Sequence, residues 1–416
     1  MSSVAEGGTG QRTSSAIGLI AALLVGLNLR PAITSVAALL DETSRHFGLS
    51  PVEATVLATL PVIAFGLTAP IGPWLSRRLG VVRALTLTMV ALAAALVLRV
   101  VLPLQLLPGT FVAGAAIMAA GTLVPQYLKA LDAKGLWVGL SSMSFGVGAA
   151  LGAGLVVPVH HGTGGDVPLA LGLWAVPAVV AAAAMAAVPR DAAGSGRADR
   201  PRLARPRGAA VTIALVTAVF GLQALLYFAV TAWMPQFLAD RGQLAAERGW
   251  LLAWFSIAGF LPTLVTPMIA RMPRTLRWYG PALGVLIMVG LLWLPVADPG
   301  QYVLVVGLLG AVQSAAFGLA ISLIVSLSAN SASAAVVSAI AQGAGYAIAG
   351  IGSLLIGILH EASGGWTASF ALMAAIAGAL AIAIAFAIRR GAVDLVLADE
   401  SRVSRPSASA VQGDRS

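Results

Sequence analysis

The chain of 416 residues is 59% apolar and only 10% charged, with a mean hydropathy of +0.93, a composition that excludes a water-soluble globular protein of this size and predicts an integral membrane protein. The net charge of +9 does not imply nucleic acid, because the basic residues collect between apolar stretches instead of forming a patch. The absence of cysteine excludes disulfides and thiolate metal sites.

Apolar runs of roughly 20 residues predict about twelve membrane helices. The predicted spans are 15–40, 52–76, 82–102, 107–128, 136–159, 167–188, 209–237, 248–270, 279–297, 301–327, 333–359 and 366–388. The polar tail 1–14 precedes a first span with no small-residue cleavage site before its arginine, so that span reads as a retained helix and not a cleaved signal. The organisation follows: tail 1–14, a six-helix half 15–188, a basic linker 189–208, a second six-helix half 209–390 and a Ser-rich tail 391–416 expected to be disordered.

Arg30 lies in the outer third of the first span, in the string Asn28-Leu29-Arg30-Pro31. A charged side chain at bilayer depth costs about 2.5–3.5 kcal/mol on insertion scales, so it needs a partner, a wet cavity or a ligand. No carboxylate lies inside any apolar stretch. The nearest, Asp41 and Glu42, begin eleven residues on, which at about 1.5 Å per residue is about 16 Å along the axis. One reading is a fixed cation facing a pathway for a small anionic or strongly electronegative solute. The other is a structural arginine that snorkels or caps carbonyls freed by Pro31.

Glu53 opens the second span and is the best-placed acid for any proton coupling. That span ends in Pro73-Trp74-Leu75-Ser76-Arg77-Arg78, whose cations suit helix C-terminal ends and lipid phosphates. Together with Arg271 they form a candidate cytoplasmic gate. Arg99, near the outer end of the third span, is expected to snorkel and to be structural. Glycines 146, 148, 152 and 154 in the fifth span, and 343, 345, 350, 352 and 357 in the eleventh, allow close helix approach and small rocking shifts.

In the seventh span Gln223 and Tyr227 share a helical face, and Gln342 and Tyr346 in the eleventh repeat that spacing. Asn28 and Gln223 occupy matching places in the two halves, so both amides are candidates for solute contact, with helix-to-helix hydrogen bonding as the alternative. The candidate solute-binding set is therefore Asn28, Arg30, Gln223, Tyr227, Gln342 and Tyr346.

The halves match at an offset drifting from about 194 to 200 residues. Gly26-Leu27-Asn28 answers Gly221-Leu222-Gln223, the Pro73 to Arg77 string answers Pro267 to Arg271, and His160 with Gly164-Gly165 answers His360 with Gly364-Gly365. In order and with the same sidedness, these predict parallel repeats about an axis along the membrane normal, with a site between them near the midplane. Arg45, Arg241 and Arg248 alone fall on the side opposite the N-terminus, and Arg30 and Arg99 fall within or at the edge of spans. All other basic residues share the N-terminal side, which the positive-inside rule makes cytoplasmic for both termini. Only two basic residues are lysines, a usage pointing to a high-GC bacterium and its cytoplasmic membrane.

Neither Lys129 nor Lys134 sits in a phosphate-binding loop, and no paired acids or His with Glu lie at bilayer depth. No enzyme activity, catalytic residue, cofactor or metal is expected. The four histidines read as outer interface or pH-sensitive loop residues. The expected partners are a small-molecule solute and the lipid bilayer, the expected state is monomeric, and nucleic acid is not expected.

The string Asn28-Leu29-Arg30-Pro31-Ala32, with Leu60-Pro61, Phe65-Gly66 and Ala69-Pro70, resembles the cyanate and nitroimidazole transporter family of the major facilitator superfamily. The likeness extends over about 17–388, through Gly221-Leu222-Gln223, Ala232-Trp233-Met234-Pro235, Phe317-Gly318-Leu319-Ala320, Ala341-Gln342-Gly343, Gly345-Tyr346 and Gly364-Gly365-Trp366. It implies an all-α, twelve-helix major facilitator fold, secondary active transport by alternating access, and a solute such as cyanate or a nitro-substituted heterocycle. Three strings depart from the pattern. Thr122-Leu123-Val124-Pro125 stands where the family often has Asn before Pro, Gly352-Ser353 where it has Gly-Pro, and Arg77 where the superfamily loop has Asp. Two rival readings are a proton-coupled exporter of drugs or metabolites, against which stands the missing Gly-Pro pair of the fifth span, and a non-transporting sensor signalling through the basic linker.

Overall fold

The computed structural model describes residues 17–189 and 209–394. Among these, eleven helices are long and apolar enough to cross a membrane, and one bent pair supplies a twelfth. The spans are α1 Ile17–Ala38, α2 (the pieces Pro51–Thr68 and Ile71–Leu79), α3 Val81–Val101, α4 Leu106–Ala130, α5 Gly135–Gly162 and α6 Val167–Ala186, then α7 Ala209–Asp240, α8 Glu247–Ile269, α9 Pro273–Val296, α10 Pro299–Ser326, α11 Ser331–Ser363 and α12 Trp366–Ala387. A short helix, Leu40–Phe47, joins α1 to α2 and ends at Gly48, whose φ of 65° favours glycine. The linker expected at 189–208 lies outside the described residues apart from Pro189.

Breaks in the helices fall where backbone chemistry demands them. Pro31 has no N–H, and its ring clashes with the carbonyl four residues back. The helical run of α1 accordingly stops after residue 27, turns through residues 28–30, and restarts at Pro31. Pro70 acts similarly in α2, whose two pieces meet at 51°. Helix α9 begins at Pro273, six residues before the expected apolar run, because Arg274 and Arg277 keep helical geometry while remaining exposed.

Packing repeats between the halves. In the first half α1 packs on α5, α2 on α4, and α3 on both α4 and α6. In the second, α7 packs on α11, α8 on α10, and α9 on both α10 and α12, the same set shifted by six helices. Across the halves α2 meets α11 and α5 meets α8, a pair that a pseudo-two-fold axis interchanges.

The halves are closed at the end carrying Arg77, Arg78 and Arg271, termed the basic end. There a Cβ on Gly135 would lie 2.7 Å from the Pro267 carbonyl oxygen, and one on Gly139 would overlap that of Leu264. Arg271 Nη1 donates to the Ala133 carbonyl (3.3 Å), and Ser331 Oγ to that of Gln126 (3.0 Å). From Gly135 to Phe145 only Leu136 of α5 is exposed. Beyond Phe145, residues 146, 150, 151, 153, 154 and 155 are exposed, spread over more than half the helix circumference. Helix α5 is therefore largely uncovered beyond Phe145, while α2 and α11 stay in contact as far as Val62 and Gly350.

The start of the second tail is docked, which the expectation of disorder from 391 does not anticipate. Val393 is buried and exchanges backbone hydrogen bonds with Leu327 and Ala329, while Asp394 Oδ1 accepts from Asn330 Nδ2 at 2.7 Å.

Side chains at Gly139 would wedge the basic end open without touching either half's interior. Overpacking of this kind costs about 1–3 kcal/mol, enough for roughly a tenfold shift. In this cysteine-free chain, Gln126→Cys, buried at that interface, should label slowly with a thiol reagent. Adding Gly139→Val should raise the labelling rate roughly tenfold.

Candidate functional site

Between the halves lies a cavity lined by Leu29 and Arg30 of α1, Phe65 of α2, Ile117, Met118 and Gly121 of α4, Phe145 of α5, and Gln342 and Tyr346 of α11. Its free volume is about 20 Å³, close to the room one water needs. Its walls are mostly apolar or aromatic, with one cation, one amide and one phenol among the lining side chains.

The break in α1 aims the cation. Glycines of α5 accept the broken backbone: a Cβ on Gly152 would sit 2.6 Å from Pro31 Cα, and one on Gly148 would overlap the Leu27 carbonyl. Arg30 then projects as the residue just before the restarted helix, half-exposed. Its guanidinium carbon lies 5.8 Å from the ring centroid of Phe228 in α7, a cation–π contact across the halves. An ion pair lies elsewhere, with Arg45 Nη2 3.4 Å from Glu42 Oε1.

Aromatic rings continue this contact. Tyr346 lies 5.1 Å from Phe65 and 5.2 Å from Phe220 by centroids, and Phe317 lies 5.9 Å from Phe145. Such offset and edge contacts exploit the ring quadrupole. Two of the three pairs join the halves, so the rings form a seam that opening and closing must remake.

Gln342 Nε2 donates to the Gly121 carbonyl (3.0 Å) and to Ser338 Oγ (2.7 Å). The first bond also crosses the halves, and Gly121 lets the amide approach.

Of the six expected solute contacts, the structure brings Arg30, Gln342 and Tyr346 to the cavity. Asn28 Nδ2 instead donates to the carbonyls of Leu24 (2.8 Å) and Pro177 (3.0 Å), tying α1 to α6. Gln223 Nε2 donates to the Gln313 carbonyl (3.2 Å), tying α7 to α10. Tyr227 packs against Phe228 and Phe255 outside the lining. Phe228, the next residue, supplies the ring over Arg30 and is absent from the expected set, as are Phe145 and the α4 trio. Their signal was a glycine and large apolar residues at mid-span, indistinguishable from core by spacing alone.

Glu53 is fully exposed and closes a capping box, accepting from Ser50 N and Ser50 Oγ at 2.8 Å each. Arg77 and Arg78 are exposed at the basic end, with Arg78 stacked 4.5 Å from the Trp74 ring centroid. Of the three gate candidates, Arg271 reaches across the halves, to the Ala133 carbonyl.

Arg99 corrects its expectation. It does not snorkel: it is fully buried, donates Nη1 to the Ala32 carbonyl (3.2 Å), and leaves Nε and Nη2 without a partner among the described residues. The chain turns back at residues 102–105, so α4 covers this last turn of α3 with Gly109 directly against Arg99 Cβ.

The Major Facilitator Superfamily pattern matches residues 16–350. The chain belongs to that superfamily. This transporter is 30% identical over 385 residues to the cyanate transport protein CynX of Escherichia coli (strain K12), covering 89% of this chain and 97% of that one. It is 28% identical over 354 residues to the 2-nitroimidazole transporter of the same organism, covering 83% and 88%. An uncharacterized transporter, YycB, of Bacillus subtilis (strain 168) is 29% identical over 363 residues, covering 85% and 89%. Among solved structures, the E. coli fucose:proton symporter FucP superposes with a TM-score of 0.72 at 12% identity, covering 90% of this chain and 99% of that one. The proton:xylose symporter XylE gives 0.70 at 15% identity, covering 90% and 95%. These two similarities establish the shared twelve-helix fold.

The unpaired nitrogens of Arg99 set a test. Replacing a buried, poorly paired charge by an apolar side chain of similar volume is often neutral or stabilising. Arg99→Met should therefore leave the melting temperature of the purified transporter unchanged or higher. A fall of many degrees would mean that the guanidinium has a partner beyond the Ala32 carbonyl.

Proposed function

We propose that this transporter carries a small anionic or strongly electronegative polar solute, cyanate-like or nitro-heterocycle-like, across a bacterial cytoplasmic membrane, with both termini in the cytoplasm. The observation that carries this reading is the Arg30 guanidinium, aimed at a cavity between the halves with an aromatic ring and no carboxylate as its neighbour. A negative or electronegative group in the cavity supplies the missing charge partner, and in an apolar enclosure that attraction is far stronger than in water. The Tyr346 phenol can donate an orienting hydrogen bond, and the rings of Phe65, Phe145 and Phe228 suit a planar, delocalised solute. The names of the two E. coli relatives, for cyanate and for 2-nitroimidazole, support the same class.

Alternating access follows from the packing. The basic end is closed by glycine-mediated contacts and single hydrogen bonds, so a rocking of the halves exchanges this seal for one at the other end. Proton coupling through Glu53 finds no support in its geometry, since that carboxylate is engaged as a helix cap.

The test is thermal stabilisation of the purified protein by cyanate, nitrate, nitroimidazoles, small carboxylates and lipophilic cations. Wild type should be stabilised by the small anions or nitro compounds, and Arg30→Gln should lose that response while still reaching the membrane. Equal stabilisation of both proteins by lipophilic cations would make Arg30 structural and the solute reading wrong.

A further inference from the structure

The charge of Arg30 also governs the transporter when no solute is bound. A guanidinium stays protonated at any physiological pH, so Arg30 cannot shed its charge. No acid at its depth can neutralise it: within the described spans, carboxylates occur only near the ends, at Glu53, Asp240, Glu247 and Glu361. The polar side chains that line the cavity with it, Gln342 and Tyr346, are neutral and cannot cancel its charge. In the present state Arg30 is partly exposed.

To switch sides, the halves must close over this position and strip its water. With a monoanion bound, the closing cavity holds a neutral pair. Empty, it holds a cation whose neighbours, Leu29, Phe65, Phe145, Phe228, Gln342 and Tyr346, are all neutral, and a buried charge without a charged partner is strongly disfavoured. We propose that the protein is an obligatory exchanger: it changes sides readily only when loaded, so one monoanion enters as another leaves, and the empty carrier is held back. Exchange of two monoanions moves no net charge and uses no proton, whereas one-way movement would be electrogenic. The proposal rests on Arg30 being the solute site.

The experiment uses the full chain in sealed proteoliposomes, with radiolabelled cyanate outside and about equal concentrations of either unlabelled cyanate or gluconate inside. Initial uptake should be at least 100-fold faster into cyanate-loaded vesicles, equivalent to about 2.7 kcal/mol at 1.36 kcal/mol per tenfold. It should also be unchanged by a potassium–valinomycin potential of either sign. A Met118→Glu variant, which gives Arg30 a resident carboxylate inside the same cavity, should lower the ratio at least tenfold by letting the empty carrier switch. Similar uptake rates under both loadings of the wild type would overturn obligatory exchange while leaving the anion-transport reading intact. No uptake under either loading, with no thermal stabilisation by cyanate, would remove that reading and the exchange proposal with it.

Discussion

Holding the Arg30 guanidinium at bilayer depth costs about 2.5–3.5 kcal/mol on insertion scales, and a cation–π contact such as that with Phe228 returns only about 0.5–2 kcal/mol. The balance must come from water or from a ligand, and much of the first half is arranged around that requirement. Pro31 breaks α1 next to the cation, Gly148 and Gly152 of α5 accept the broken backbone, and rings from four other helices build the enclosure. Were α1 an unbroken helix on a bulkier α5, the same arginine would meet side chains instead of a cavity.

Fold and site were unequally legible in the sequence. The spans, the six-and-six division and the repeat follow from apolar run length and from charge placed between runs, both of which are local. Arg30 was legible because its cost is local too, and Gln342 and Tyr346 because two polar positions four apart must share a face. For Asn28 and Gln223 the structure shows the alternative, with both amide nitrogens donating to helix carbonyls. Their matching positions were real, but an amide's partners are carbonyls on helices distant in sequence, Pro177 and Gln313, and nothing local announces them. Arg99 shows the same limit from the other side: position near a helix end permitted snorkelling, and only the return of the chain through α4 buried it.

The two arginines at depth are solved in different ways. Arg99 is covered by its own half and anchors to the Ala32 carbonyl, two residues beyond Arg30. It therefore braces the restarted part of α1 from behind while Arg30 faces the seam between the halves. One cation is enclosed within a single half and the other lies between the two halves.

Closure at the basic end explains how modest binding energies suffice to move so large a structure. The halves meet there through backbone against glycine and through hydrogen bonds from Arg271 and Ser331 to carbonyls. A typical hydrogen bond contributes about 0.5–1.5 kcal/mol net, so such a seal is a few such increments deep, with no buried ion pair to break. A solute can shift the equilibrium only by its differential affinity for the two states, and taking a ratio from 1:99 to 99:1 needs about 5.5 kcal/mol. Neutralising an enclosed guanidinium contributes to such a difference, and more so where water is excluded. On the proposed exchange mechanism, a shallow mechanical seal paired with a strong electrostatic requirement makes occupancy of the cavity the decisive variable, and it leaves the seal itself free to open and re-form on every cycle.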